Sequence, residues 1–282
     1  MASLGQDHMS QFEEQGYLVV EGLLDQEKDL QPVIDEYSAL LDSLAENWYA
    51  AGDLSATYGD LPFGKRLTRI IAESGQAYYQ HMDVSLPQAD ITEETPIHHG
   101  PAIFNLLRSP RLLDAVACFI GPEIYSNPVQ HIRIKPPEQY LPKKSGKAVL
   151  SATEWHQDRG VVTPEADETK MLTVWFSLTD TPIEMGCLKV VPGSHQTGQI
   201  VEHKPDLGTH GSWTEVDETG AVDLIVPAGT VVFFSANLLH GAHDNHSDRT
   251  RYSTAWHYLS GDLNPERFPQ DGYEDRHIVR GE

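Results

Sequence analysis

The sequence predicts a mainly β fold, with helices confined to the N-terminal part. From about residue 124 onward, short apolar runs replace helical periodicity, and turn signals such as Pro192-Gly193 and Pro227-Ala228-Gly229 separate them. Many short strands divided by Gly and Pro turns indicate a sandwich or a barrel. No helical pattern lies between the runs, which disfavours a parallel sheet with crossover helices.

The N-terminal part, about residues 10–121, carries the helical patterns. Gly16 should end a first short helix, and Pro32 fits a second only in its first turn. Asn47 to Lys65 is rich in Gly, Asp, Ala and Tyr and is expected to be irregular. The predicted helices are Gln11–Gly16, Leu23–Leu44, Arg66–Tyr79 and Pro101–Ile120, the last broken at Ser109-Pro110 and stopped by Gly121-Pro122.

The β core is predicted over about residues 124–260, in one domain spanning residues 1–282. Apart from Tyr17–Val20 in the N-terminal part, the predicted strands are Ile124–Tyr125, Gln130–Lys135, Leu172–Leu178, Cys187–Val191, Val222–Val226, Val231–Phe234 and Thr254–Leu259. The N-terminal helices are expected to pack against this core and not to form a domain of their own.

Composition narrows the class of partner. Lys and Arg number 20 against 42 Asp and Glu, a formal charge of −22, which disfavours nucleic acid and anionic membranes as partners. Two cysteines cannot build a disulfide framework, and no signal-peptide pattern or membrane-length apolar run is seen. These features favour a reduced, cytoplasmic protein that acts on a small molecule.

The stretch Ala152–Gly160 holds the strongest chemical signal. His156 and Asp158 stand two residues apart, and on a strand side chains at that spacing leave the same face. One imidazole and one carboxylate could therefore coordinate one metal ion, but a complete site needs a third ligand.

His240, His243 and His246 compete for that third place. His240 directly follows Leu238-Leu239, whereas the other two lie in a polar loop. A ligand ring must be held rigidly, which favours His240. Two histidines and one carboxylate leave coordination positions open, as in non-haem Fe(II) oxygenases.

A possible anion clamp opens the last strand. Arg251 and Ser253 share one face, and a guanidinium beside a hydroxyl suits a carboxylate. A surface ion pair is an equally simple explanation of Arg251 on its own, since the protein is rich in acids.

Together these motifs resemble the Fe(II)/2-oxoglutarate-dependent dioxygenases, and more narrowly the phytanoyl-CoA dioxygenase family. The resemblance covers about residues 10–258 and rests on the stretches Phe12–Val20, Ile134–Pro137, Trp155–Asp158, Met185–His195 and Leu239–Asn245. It implies a double-stranded β-helix, the cupin-like jelly roll, with helices buttressing one sheet.

The resemblance also implies roles for individual residues. His156, Asp158 and His240 would bind Fe(II), and Arg251, helped by Ser253, would pair with the distal carboxylate of 2-oxoglutarate. Further cofactor contacts are expected from His131, Arg133 and Trp175, although a barrel wall or a core Trp explains these three equally simply. Because Asp158 is present, hydroxylation or another oxidation is favoured over halogenation, for which relatives replace this carboxylate.

The substrate is the least determined part of the prediction. A small metabolite is favoured, with Arg159, Gln157 and His98 as candidate contacts. An acyl-CoA would need a basic patch, for which the loop lysines Lys143, Lys144 and Lys147 are candidates. Two alternatives come from other functional classes: a non-catalytic binding relative and a metal-dependent isomerase or hydrolase. The isomerase or hydrolase alternative leaves Arg251 and Ser253 without a role.

Overall fold

The computed structural model describes residues 4–75, 78–87, 91–127, 130–141, 152–161, 169–197, 216–261 and 277–280. A π-helical turn, Gln26–Leu30, leads directly into the longest helix. The helices are α1 (Gln6–Gln15), α2 (Gln31–Ala51), α3 (Phe63–Ser74), α4 (Tyr79–Met82), α5 (Pro101–Leu107) and α6 (Pro110–Ile120). Within these ranges, no helix is both long and apolar enough to cross a bilayer.

The strands follow mainly in the second half of the chain. They are β1 (Tyr17–Val20), β2 (Ile124–Ser126), β3 (His131–Lys135), β4 (Thr153–His156), β5 (Met171–Ser177), β6 (Leu188–Val190), β7 (Val222–Leu224), β8 (Val231–Ser235), β9 (His240–Ala242), β10 (Arg251–Ser260) and β11 (His277–Arg280).

Two antiparallel sheets face each other. The major sheet has the order β1-β8-β5-β10-β2-β11, and β3 also pairs with the first half of β10. The minor sheet has the order β4-β9-β6-β7. Residues of both sheets, among them Trp175, Val232 and Leu188, form one apolar cluster between them. This double layer is the predicted jelly-roll arrangement.

Alternation along β10 separates two environments. Tyr252, Trp256 and Tyr258 belong to the large hydrophobic cluster that also holds the helices. Arg251 and Ser253 alternate with them and so face the minor sheet. The major sheet is therefore apolar on its helical side and polar over part of its inner side.

The helices cover the outer face of the major sheet. α2 supplies Val33, Tyr37 and Leu41 to the large cluster, all without solvent exposure. The Tyr37 hydroxyl donates to the Met82 carbonyl at 2.9 Å, and its ring meets Tyr252 edge-on at 5.5 Å. The predicted helical buttress is thus anchored on β10, the strand that carries Arg251.

Three predicted helix boundaries agree with the structure, but α1 begins at Gln6 and not at Gln11, and the helix predicted to reach Tyr79 ends at Ser74. Gly16 ends α1 in the left-handed conformation, Pro32 lies in the first turn of α2, and α5 and α6 separate at Ser109. The irregular segment predicted from Asn47 is wrong at both ends, since α2 continues to Ala51 and α3 begins at Phe63. Composition misled there because packing of Trp48 against the helical core outweighs local propensity.

Gly229 lies in the turn that leads into β8 of the major sheet. Its φ is +81°, and a Cβ there would lie 2.8 Å from the Leu24 carbonyl oxygen. Gly220 has a similar φ of +80° with open space around it. The two glycines share one backbone conformation but differ in surroundings.

We expect Gly220→Ala to cost about 1 kcal/mol in the free energy of unfolding, from the left-handed conformation alone. Gly229→Ala should cost about 2 kcal/mol more, because the turn must also move away from Leu24. Urea denaturation of the two variants measures the difference. Equal losses would show that the close approach to Leu24 is unimportant.

Candidate active site

Two neighbouring strands of the minor sheet bring the predicted metal ligands together. His156 ends β4 and His240 begins β9, and the two residues are direct register partners. Asp158 lies beyond the end of β4, at the start of a 3-10 turn spanning Asp158–Val161. The expectation that His156 and Asp158 share one strand face is therefore wrong in its geometry, since the turn and not the strand aims the carboxylate.

The three side chains converge on a small space. Asp158 Oδ1 lies 3.5 Å from His156 Nε2 and 3.7 Å from His240 Nε2. The two imidazole centroids are 4.1 Å apart. Neighbouring ligand atoms that each lie about 2.1 Å from an ion are separated by about 3 Å. Small side-chain movements would therefore bring all three ligand atoms within coordination distance of one metal ion.

Backbone carbonyls fix the orientation of both rings. His156 Nδ1 lies 2.9 Å from the Glu154 carbonyl oxygen, and His240 Nδ1 lies 3.0 Å from that of Leu238. A carbonyl only accepts, so Nδ1 carries the proton in each ring and Nε2 keeps its lone pair. Both lone pairs face Asp158, which is the arrangement that a metal ion needs.

The other oxygen of Asp158 is held by the major sheet. Thr173 Oγ1 donates to Oδ2 at 2.6 Å, and His257 Nε2 lies 3.4 Å from the same atom. Thr173 and His257 are register partners on β5 and β10. One carboxylate therefore faces the two imidazoles with one oxygen and the opposite sheet with the other.

The protonation states suit a cation. Burial alone would raise the pKa of Asp158, but the neighbouring imidazoles of His240, His257 and His156 hold it well below its usual value. Burial, and then His156, lower the pKa of His240 to about 4. A neutral imidazole and an ionised carboxylate are the forms that bind metals.

Two other groups in the described part of the chain could also hold an ion, Cys187–Asp223–His243 and Glu138–Asp244–His246. In each, the histidine is already paired with a carboxylate, His243 with Asp223 at 2.6 Å and His246 with Glu138 at 3.3 Å. All members of the triad His156–Asp158–His240 are buried, whereas both other groups reach the surface. The triad is thus the best-enclosed set.

A row of buried cations continues the inner face beside the triad. The inward residues of β10 are Arg251, Ser253, Ala255 and His257. Those of β3 are His131, Arg133 and Lys135, paired with Ala255, Ser253 and Arg251. Burial lowers the pKa of Lys135 well below its usual value, and Arg251 and Arg133 lower it further. His131 faces Asp83, whereas the guanidinium groups of Arg133 and Arg251 form no ion pair with any carboxylate that the structure describes, which favours an anionic ligand.

Arg251 is a buried guanidinium with an unsatisfied donor in the described structure. One of its terminal nitrogens donates to the Gly186 carbonyl, while its buried Nε has no partner in the described structure. Burial and the neighbouring Arg133 lower the pKa of Arg251 to about 10, so it stays charged at neutral pH. A buried guanidinium with an orphaned donor fits the free carboxylate of a diacid.

The remaining predicted cofactor contacts differ in their surroundings. His131 Nδ1 lies 3.1 Å from Asp83 Oδ2, and Asp83 also accepts from the Ile132 amide of β3. Trp175 faces inward from β5 within the apolar cluster between the sheets. His131, Arg133 and Trp175 thus all line the inner side of the major sheet.

The predicted substrate contacts are engaged by the protein itself. Gln157 Nε2 donates to the Asn237 carbonyl at 2.6 Å, and an Arg159 terminal nitrogen donates to that of Thr169 at 2.6 Å. His98 lies 3.0 Å from Glu36 and packs on Tyr37, on the helical side of the major sheet. His98 therefore does not lie near the triad, because its segment packs against the helices on the outer side of the major sheet. Lys143, Lys144 and Lys147 lie outside the described residues.

Sequence reasoning missed the partners of Asp158 on the opposite sheet. His257 continues the alternation Arg251, Ser253, Ala255, and this period of two was a usable signal. Thr173 had no such signal, because only the pairing of β5 with β10 places it opposite His257.

Comparison with known proteins identifies the family. Residues 12–253 match the family model described as phytanoyl-CoA dioxygenase. The chain belongs to the phytanoyl-CoA dioxygenase family. The predicted family is therefore confirmed.

Relatives within the family are distant in sequence. The human peroxisomal phytanoyl-CoA dioxygenase is 25% identical over 258 residues, covering 89% of this chain and 67% of the human protein. The bovine phytanoyl-CoA dioxygenase domain-containing protein 1 is 26% identical over 279 residues, covering 92% of this chain and 91% of its own.

Solved structures confirm the predicted jelly-roll fold. The non-heme monooxygenase ThoJ, in its apo form, superposes with a TM-score of 0.59 at 20% identity, covering 97% of this chain and 83% of its own. The epimerase SnoN, in complex with Fe3+, alpha ketoglutarate and nogalamycin RO, gives a TM-score of 0.55 at 20% identity, covering 90% and 83%. At this level of identity the likeness shows the fold.

The hydrogen bond from Thr173 to Asp158 can be tested with an isosteric change. Thr173→Val should weaken binding of Mn2+ to the full chain about 10- to 100-fold, because Asp158 loses the donor that holds it. Isothermal titration measures this. Thr254→Val is the matched control, since Thr254 is buried on β10 with an unpartnered hydroxyl and should leave binding unchanged. Equal affinities of the two variants would refute the role of Thr173.

Proposed function

We propose that this protein is an Fe(II)- and 2-oxoglutarate-dependent dioxygenase that oxidises a small-molecule metabolite, with release of succinate and CO2. The single observation that carries the proposal is the union of two features on one inner face. A buried His-Asp-His triad with both Nε2 atoms turned to Asp158 lies beside a buried, partly unbonded arginine. Family membership supports the same class of reaction.

The triad fits Fe(II) by its donor set. Two neutral imidazoles and one carboxylate match the facial arrangement that leaves positions open for other ligands. His156, Asp158 and His240 would hold the ion, with Thr173 and His257 orienting Asp158 from the other sheet. When bound, iron, 2-oxoglutarate and O2 together supply the oxidising chemistry.

The arginine fits the co-substrate by charge and by reach. Arg251 would pair with the distal carboxylate of 2-oxoglutarate, and Ser253, two residues along the same face, is the neighbouring hydroxyl. Trp175 would form an apolar wall of the same pocket. These side chains would bind and orient the reactants, and the apolar cluster between the sheets would limit water on the inner face.

A spectroscopic measurement tests the proposal before any substrate is known. Under anaerobic conditions, Fe(II) and 2-oxoglutarate together should give the weak visible band of the chelate with the wild-type protein. A metal-dependent isomerase or hydrolase would give no such band. A screen of metabolites for succinate formation would then identify the substrate, and a band without succinate from any of them would favour the non-catalytic alternative.

Arg251→Ala should raise the 2-oxoglutarate concentration that develops half of this band by about 10- to 100-fold, because a charged hydrogen bond is lost. Fe(II) affinity should stay unchanged, since Arg251 is not a metal ligand. Arg249→Ala is the control, because Arg249 is exposed just ahead of the same strand. A variant of Arg251 that binds 2-oxoglutarate like wild type would contradict the assignment.

A further inference from the structure

Arg133 is an arginine inside the double sheet, and its guanidinium has no bonding partner in the described part of the chain. It lies mid-strand in β3, directly opposite Ser253 of β10, and so faces the minor sheet. Its guanidinium makes no hydrogen bond or ion pair with any residue that the structure describes. It is partly buried, and its guanidinium offers five donors.

The neighbouring cations are satisfied in ways that Arg133 is not. Lys135 donates to Thr153 Oγ1 at 2.8 Å, and Arg251 donates to the Gly186 carbonyl. Burial lowers the pKa of Arg133, and the charges of Asp83 and Asp158 act in the opposite sense. Electrostatic attraction therefore reaches Arg133 from two carboxylates, yet neither forms a bond with it.

Both carboxylates near Arg133 have other partners. Asp83 accepts from the amides of Ile132 and Val84 and faces His131. Asp158 is engaged by Thr173 and His257 through one oxygen and faces the two ligand imidazoles with the other. Neither is available to pair with the Arg133 guanidinium, so no carboxylate near it in the described part of the chain supplies its counter-ion, which points to a bound anion.

The charges of the proposed co-substrate are already matched. Fe(II) with Asp158 carries one net positive charge, which balances the carboxylate that would bind beside the metal, and Arg251 balances the distal carboxylate. After this pairing Arg133 and Lys135 are left, and of these two Lys135 already donates to Thr153. Arginine forms paired hydrogen bonds with planar carboxylates, and two such bonds fix both position and orientation.

We propose that Arg133 binds the carboxylate of the primary substrate, so that the substrate is a small carboxylic acid. This inference rests on the proposed dioxygenase function. Arg133 lies opposite Ser253 of β10, and His257, on the same face of that strand, lies 3.4 Å from Asp158, so the bound carboxylate and the carbon to be oxidised would share one inner face. The earlier expectation that Arg133 contacts 2-oxoglutarate is replaced by a substrate role.

The visible band of the anaerobic Fe(II)–2-oxoglutarate complex provides a binding readout that needs no turnover. Wild type, Arg133→Met and Arg133→Lys are saturated with 2-oxoglutarate and titrated with a panel of aliphatic, aromatic and amino monocarboxylic acids and their primary amides. Arg249→Met is the control for loss of an arginine. Thermal melting of each variant checks that it is folded.

At least one acid, and not its amide, should perturb the wild-type band. Arg133→Met should need about 10- to 100-fold more of that acid, and Arg133→Lys should fall between, because lysine keeps the charge but not the paired bonds. Both variants should develop the band at a 2-oxoglutarate concentration within about twofold of wild type. Arg249→Met should match wild type throughout.

Three results would overturn the inference. Loss of 2-oxoglutarate binding in Arg133→Met would show that Arg133 serves the co-substrate. Amides that act as well as their acids, or a wild-type band that no acid perturbs, would show that the substrate is not recognised by a carboxylate. Absence of the band in wild type would instead overturn the proposed function on which the inference rests.

Discussion

The two oxygens of Asp158 link the two sheets of the fold. One oxygen faces His156 and His240 on the minor sheet, at 3.5 and 3.7 Å. The other is held by Thr173 and His257 on the major sheet. Asp158 itself comes from a turn and not from either sheet. The relative position of the sheets therefore sets the geometry of the triad. Packing of the apolar cluster between the sheets helps to fix the positions of the metal ligands.

A second constraint is the contrast between the surface and the interior. The chain carries a formal charge of −22, yet the inner face of the major sheet brings Arg133, Lys135 and Arg251 together. Like charges in a buried space repel, as the lowered pKa of Arg251 shows. The surrounding tertiary structure holds these like charges close together, so binding of an anion at this site is favoured. The acidic surface has little effect on this preference, because salt screens the electric field of the surface carboxylates over short distances.

Most of the fold could be predicted from local patterns, because caps, turns and periodicity are written in short stretches. Gly16, Pro32 and Ser109 all mark helix boundaries that the structure shows. Only part of the candidate active site could be predicted from the sequence. The spacing of His156 and Asp158 suggested a shared strand, but a 3-10 turn aims Asp158. The position of Thr173 depends on strand register, and the directions of Gln157 and Arg159 depend on Asn237, some 80 residues away. Tertiary contacts of this kind leave no local signature.

A crystal structure grown anaerobically with Fe(II) and 2-oxoglutarate would test the central claim most directly, through anomalous scattering at the iron absorption edge. The account predicts one strong anomalous peak within about 2.2 Å of His156 Nε2, Asp158 Oδ1 and His240 Nε2, with the distal carboxylate of 2-oxoglutarate on Arg251. A peak at Cys187–Asp223–His243 or Glu138–Asp244–His246, with the triad empty, would contradict it.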